Sequence, residues 1–153
     1  GKSMIRTVQI KDAGQIRDLC HLALGYDSTV EKVATQIDKF NQPDSGHFCF
    51  VYEEDQTGNI LGYVEAEVYE SIYSDPGLNV LGLAVFPSAQ GRGIGRQLME
   101  RVEALARTHN YSFIRLSSAS HRKDAHVFYG CNSHLALGFN SQVYVKGKPQ
   151  TIG

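Results

Sequence analysis

The sequence predicts a mixed α/β domain, with helices flanking a central, mostly antiparallel sheet and a β-α-β unit at its centre. Three observations carry this. Strand-like segments rich in aromatic and β-branched residues lie between His47 and Tyr69 on either side of a turn. The run Leu78 to Phe86 is nearly all apolar, as expected of a strand buried on both faces. A polar, glycine-rich turn follows it and leads into a helix whose apolar residues Ile94, Leu98, Val102, Leu105 and Ala106 share one side.

In chain order, Ile5 to Ile10 alternates weakly and reads as a first strand. Asp12 stands where it would cap the next helix. Ile16, Leu19, Cys20 and Ala23 then recur at helical spacing until Gly25 stops the pattern. After the loop Gly25-Tyr26-Asp27, Ser28 and Glu31 have capping-box spacing. Val30, Val33, Ala34, Ile37 and Phe40 form the apolar stripe of a second helix. Asn41 to Gly46 is a turn-rich break. His47 to Glu54 is a strand, Gln56-Thr57-Gly58-Asn59 a hairpin turn, and Ile60 to Tyr69 the return strand. Ser74-Asp75-Pro76-Gly77 marks another turn before the apolar strand. The helix after the glycine turn runs to about His109. Ser112 to Ser118 reads as a strand, Asp124 to Tyr129 as a short helix, and Gln142 to Lys146 as the last strand. No internal repeat or linker divides the chain, so residues 4–153 are expected to form one domain. Gly1-Lys2-Ser3 before Met4 reads as a cloning remnant.

Bulk properties narrow the function. The 153 residues suit one sizeable core, and 42% hydrophobic with 20% charged residues reads as globular. A net charge of −1 gives no electrostatic footprint for nucleic acid or an anionic membrane, so neither is an expected partner. No bilayer-length apolar run or signal peptide is evident, and a cytoplasmic location is expected. Cys20, Cys49 and Cys131 are scattered and odd in number, which argues against a disulfide framework or zinc site; no metal is expected.

The chemistry concentrates in the turn Gln90-Gly91-Arg92-Gly93-Ile94-Gly95. A helix start leaves backbone N–H groups without partners, and its dipole favours negative charge. Glycines allow close approach and positive φ, so the turn suits a phosphate, with Arg92 adding charge at the rim. A P-loop would need Gly-Lys-Ser/Thr where Gly93-Ile94-Gly95 stands. A dinucleotide fold would need different glycine spacing and an acidic end to the next strand, which here reads Ser117-Ser118. A ligand-free strand-to-helix turn is the plain alternative.

The segment resembles motif A of the GNAT acetyltransferases, Gln/Arg-x-x-Gly-x-Gly/Ala after a Leu-x-Val-x-Pro strand end. Gln90, Gly93 and Gly95 fill the fixed positions, and Leu83, Val85 and Pro87 fill the approach. Downstream, Arg122-Lys123-Asp124-Ala125-His126-Val127-Phe128-Tyr129 resembles the family's helix with its Phe-Tyr pair. The resemblance implies the GNAT fold and acetyl-CoA as co-substrate. It assigns the pyrophosphate to Gln90, Gly91, Arg92, Gly93, Ile94 and Gly95, with Arg122 and Tyr129 also at the cofactor. The pantetheine arm is expected along Leu83, Ala84 and Val85, with a backbone N–H near Val85 polarising the acetyl carbonyl. The resemblance also implies direct transfer to the amine, so no cysteine is expected to act as nucleophile.

The resemblance makes Tyr129, the tyrosine of the Phe-Tyr pair, the expected acid for the leaving thiolate, a role a phenol can fill at neutral pH, with aromatic packing as the plain alternative. For the base, Tyr63, Glu65, Glu67 and Tyr69 share a strand face by the period of two. Glu67 is favoured as base, with Glu65 as a substrate-binding carboxylate; a solvated strand face explains them equally well. His121 is the other candidate. Tyr26 and Asp27, between the first two helices where the resemblance implies an acceptor pocket, suit a cationic amine, and a plain helix–helix turn explains them nearly as well. The expected acceptor is a small-molecule or peptide amine, and family habit suggests a homodimer. Gly138-Phe139 follows Tyr129 later than the family pattern has it, after Gly130 to Leu137. That departure bears on the tyrosine's geometry. A non-catalytic acyl-CoA-binding module of the same fold is the rival function.

Overall fold

The computed structural model describes residues 4–116, 142–145 and 148–151. Its strands are β1 (Met4–Thr7), β2 (His47–Glu53), β3 (Ile60–Ser71), β4 (Ser74–Val85), β5 (Phe113–Leu116), β6 (Gln142–Val145) and β7 (Lys148–Thr151). Its α-helices are α1 (Ala13–Leu24), α2 (Val30–Phe40) and α3 (Ile94–Thr108). The strands lie side by side in chain order. Every neighbouring pair is antiparallel except β4 and β5, which α3 joins as a parallel β-α-β unit.

Register defines the two faces. Val51, Cys49 and His47 stand opposite Tyr63, Glu65 and Glu67. Leu24 of α1 reaches the same face at Gly82, the partner of Glu65. Phe48 and Phe50 point the other way. There Arg101 of α3 places its guanidinium carbon 4.4 Å from the Phe50 ring centre. Helices therefore cover both faces, and Leu78, Leu83, Leu98, Met99, Ile114 and Leu116 are fully buried in the core. Burial of each such side chain contributes about 1.5–3 kcal/mol.

Several boundaries differ from the sequence expectation, each for a local reason. The first strand ends at Thr7, because a 3-10 turn over Ile10–Asp12 takes the chain off the sheet. The Asp12 carboxylate fixes that turn by accepting from the Gln9 backbone N–H at 2.8 Å and from Arg6 at 2.8 and 3.0 Å; it does not cap α1. Arg6 also donates to Glu53 at 2.8 Å, so the network ties β1 to β2. Helix α2 is capped by Thr29 and not by Ser28: the Thr29 hydroxyl accepts from the Lys32 N–H at 3.1 Å.

The β3–β4 turn falls at Ile72-Tyr73, between the paired Ser71 and Ser74, and Asp75-Pro76-Gly77 belongs to β4. Gly77 serves packing there. A Cβ at that position would lie 2.5 Å from the Phe113 ring. Beyond the expected last strand, β7 pairs back onto β6. The helix expected at Asp124 to Tyr129 lies outside the described residues.

Candidate active site

The end of β4 and the start of α3 are built as one unit. Gly91 and Gly93 have φ of 85° and 75°, the left-handed region where glycine carries no Cβ penalty. Gly93 is the N-cap of α3, with no side-chain cap. The first helical bond runs from the Gln97 N–H to the Gly93 carbonyl at 3.1 Å. The N–H groups of Ile94, Gly95 and Arg96 therefore have no acceptor within the helix, and the dipole is positive there. Ile94 is buried and anchors this end of the helix, with its Cγ2 close to Gly62 of β3. A Cβ on Gly62 would lie 2.9 Å from the Ala84 carbonyl oxygen, so glycine permits that close approach of β3, β4 and α3. Arg92 is half-exposed at the rim, 3.5 Å from the Glu54 carboxylate.

β4 carries a bulge: Glu65 pairs with Gly82 but Ala66 pairs with Val80, so Leu81 is the extra residue. Beyond the bulge the Phe86 N–H donates to the Leu61 carbonyl at 2.9 Å. By alternation, Ala84 also directs its backbone groups to β3, whereas Leu83 and Val85 direct theirs away from it. The Gln90 side-chain amide donates to the Val85 carbonyl at 3.4 Å, which fits that direction. Described pairing with β5 reaches Val80↔Leu116, while β4 runs on to Val85. Leu83 and Val85, whose backbone groups turn away from β3, thus lead directly into an uncapped, glycine-formed helix start. Those backbone groups suit an extended chain bearing amide groups, and the helix start suits its phosphates.

On the α1 face, Glu65 and Glu67 stand side by side with Tyr63 and Tyr69, as the period of two requires. Glu67 accepts from the Asn79 side-chain amide at 2.9 Å and has His47 Nε2 at 4.0 Å. Its carboxylate is one-third exposed (33%), whereas Asn79 is buried (5%). Tyr63 is buried, and its hydroxyl hydrogen-bonds Cys20. Burial, reinforced by neighbouring Cys20 and Glu65, holds the phenol well above its ordinary pKa. Burial likewise pushes the Cys49 thiol up, so it stays protonated near neutral pH and makes a poor nucleophile.

The chain leaves α1 close to the bulge, since Leu24 Cδ1 lies 3.8 Å from where a Gly82 Cβ would be. Tyr26 and Asp27 follow at once. Both are exposed, and Asp27 meets His21 Nδ1 at 2.9 Å. Arg122, Tyr129, His121 and Cys131 lie outside the described residues. The sequence reading passed over Asn79, His47 and Arg115. Asn79 had a signal: it is the one polar side chain in the run Leu78 to Phe86. His47 and Arg115 become neighbours of this face only through strand register. Among the described residues no group of three or more His, Cys, Asp or Glu is arranged to hold a metal ion. No helix among them is long and apolar enough to cross a membrane.

The family model described as "Acetyltransferase (GNAT) family" matches residues 14–131. The chain belongs to the GNAT acetyltransferase family. Solved structures share its fold at low identity. A Trypanosoma brucei acetyltransferase is 19% identical, with a TM-score of 0.66 over 85% of this chain and 90% of that one. Glucosamine-6-phosphate N-acetyltransferase from Arabidopsis thaliana is 16% identical, with a TM-score of 0.66 over 86% and 90%. A PaiA N-acetyltransferase from Thermoplasma acidophilum, solved in complex with coenzyme A, is 17% identical, with a TM-score of 0.67 over 86% and 89%.

Proposed function

We propose that this protein is a cytoplasmic N-acetyltransferase that moves the acetyl group of acetyl-CoA directly onto a primary amine of a small molecule or peptide. The observation that carries the reading is the junction of β4 and α3: outward backbone groups at Leu83 and Val85, followed by an uncapped helix start at Gly93.

The residues divide the work by chemistry. The backbone N–H groups from Gly91 to Gly95 hold the pyrophosphate, with Arg92 at its edge. Leu83 and Val85 pair with the amides of the pantetheine arm, and a β4 N–H steadies the negative charge that develops on the acetyl oxygen. Bound acetyl-CoA supplies an acyl group activated as a thioester. An alkylammonium with a pKa of about 10.4 must lose a proton before it can attack. Glu67, directed by Asn79, takes that proton directly or through one water. The amine nitrogen then bonds to the acetyl carbon, the carbon–sulfur bond breaks, and Tyr129 gives its phenolic proton to the departing sulfur, while the second proton that the acylated nitrogen sheds passes through water to restore the phenol.

The test is release of free coenzyme A thiol with acetyl-CoA and a panel of primary amines. Release that needs both components supports the transferase. Tight acetyl-CoA binding with no amine-dependent release would make the chain an acyl-CoA-binding module.

A further inference from the structure

One row of side chains crosses the sheet on the α1 face. Glu67 of β3 is in register with Asn79 of β4, which is in register with Arg115 of β5. Strands are spaced by about 4.8 Å, so the outer two backbones are about 10 Å apart. Glu67 and Arg115 carry opposite charge, yet they do not pair. The buried Asn79 stands between them and donates to the Glu67 carboxylate at 2.9 Å. The Arg115 guanidinium carbon lies 5.1 Å from the Tyr69 ring centre instead, and among the described residues no carboxylate meets it. A guanidinium held over a ring still has N–H donors to give, and its planar fork matches a carboxylate or phosphate. A half-buried cation gains most from such an anion, because burial weakens its hydration.

We propose that the amine acceptor also carries an anionic group, a carboxylate or a phosphate, which Arg115 binds while the amine faces Glu67. This rests on the acetyl-transfer reading and narrows its substrate class. A fixed negative and a fixed positive group, held apart by an amide, complement an acceptor with the reverse charges. A polyamine fits poorly, because its second ammonium would be repelled by Arg115.

The test compares matched probes: 4-aminobutyrate against butylamine, and O-phosphoethanolamine against ethanolamine. kcat/KM is measured for each with the wild type, Arg115→Gln and Arg115→Lys. The wild type is expected to prefer the anionic member of at least one pair by about tenfold or more, the scale of a hydrogen bond to a charged group. The pair that shows the preference identifies carboxylate or phosphate. In Arg115→Gln the ratio falls towards one, mainly through KM, and Arg115→Lys restores part of it. Equal rates within both wild-type pairs, or a ratio that survives Arg115→Gln, would overturn the acceptor class and leave the transferase standing. If acetyl-CoA raises the melting temperature but no amine is acetylated, the transferase reading falls and the acceptor class falls with it.

Discussion

Gly82→Ala puts a methyl group where the structure has no room. A Cβ built there lies 2.5 Å from the Tyr63 hydroxyl oxygen and 3.4 Å from Cζ, with Leu24 Cδ1 at 3.8 Å. Gly82 does not have a positive φ, so the cost comes from contact and not from backbone strain. Ordinary C···O contacts are about 3.3 Å or longer, so the two groups must separate by roughly 1 Å. Neither yields easily. Tyr63 is 4% exposed and its hydroxyl is bonded to Cys20, while Gly82 is held in the bulge by its pairing with Glu65. Overpacking of this kind costs about 1–3 kcal/mol. At about 2–4 °C per kcal/mol for a chain of this size, Tm drops by roughly 2–12 °C. Tyr63→Phe alone costs about 1 kcal/mol for the lost hydrogen bond to Cys20. With the oxygen gone, the nearest Tyr63 atom to an alanine methyl is the ring carbon at 3.4 Å, so Gly82→Ala becomes nearly harmless in the Tyr63→Phe background. Urea unfolding of the four proteins measures the coupling, expected at about 1–2 kcal/mol in favour of the double variant. Costs that add to within about 0.5 kcal/mol would refute the contact between hydroxyl and bulge.

Three further outcomes test the proposed roles and the fold. Glu67→Gln lowers kcat about 10²-fold with the acetyl-CoA-induced Tm shift preserved; wild-type turnover with the chemical step limiting would clear Glu67 of the base role. Tyr129→Phe lowers kcat by a similar factor of about 10², and single-turnover rates equal to the wild type would remove it as the acid. Asp12→Ala lowers stability at neutral pH by about 3 kcal/mol, because it strips a buried partner from Arg6. Burial pushes the Asp12 carboxyl up, but the Arg6 guanidinium and the Gln9 N–H outweigh it and hold the group below its ordinary value. Its contribution is therefore complete above the unfolded pKa of about 3.9 and is lost as pH falls through the lower folded value. The Tm gap between wild type and Asp12→Ala should shrink as pH drops below about 4; a constant gap down to the point of acid unfolding would remove the ion pair as its cause.

Much of this was legible in the residues because their local patterns agree with their tertiary surroundings. The apolar run at Leu78 to Phe86 did become a strand covered on both faces. The stripe from Ile94 to Ala106 did become the helix behind it. The glycines at 91 and 93 marked the two positive φ angles that shape the helix start. The alternation from Tyr63 to Tyr69 placed both glutamates on one face. What failed was decided by interactions that sequence spacing does not encode. Pro76-Gly77 looks like a turn, yet Gly77 is small because Phe113, thirty-six positions away, packs against it. Asp12 looks like a helix cap, yet Arg6 and Gln9 claim its carboxylate. The bulge at Leu81 has no local signature. It emerges from the register of β3 against β4, and with it the alignment of Asn79 and Gly82 on the same face. His47 and Arg115 joined the site by strand order alone.

The most direct measurement is the melting temperature with and without saturating acetyl-CoA, for the wild type and for Gly93→Asp. The aspartate places a carboxylate at the uncapped start of α3, in a left-handed conformation that this residue tolerates better than most, with its Cβ 3.3 Å from the Arg96 guanidinium. A ligand at about 100 times its Kd adds about 2.7 kcal/mol, which corresponds to roughly 5–10 °C here. A shift of that size in the wild type, abolished in a folded Gly93→Asp, is the expected result and assigns the pyrophosphate to this turn. No shift in the wild type, or an equal shift in both proteins, would contradict it.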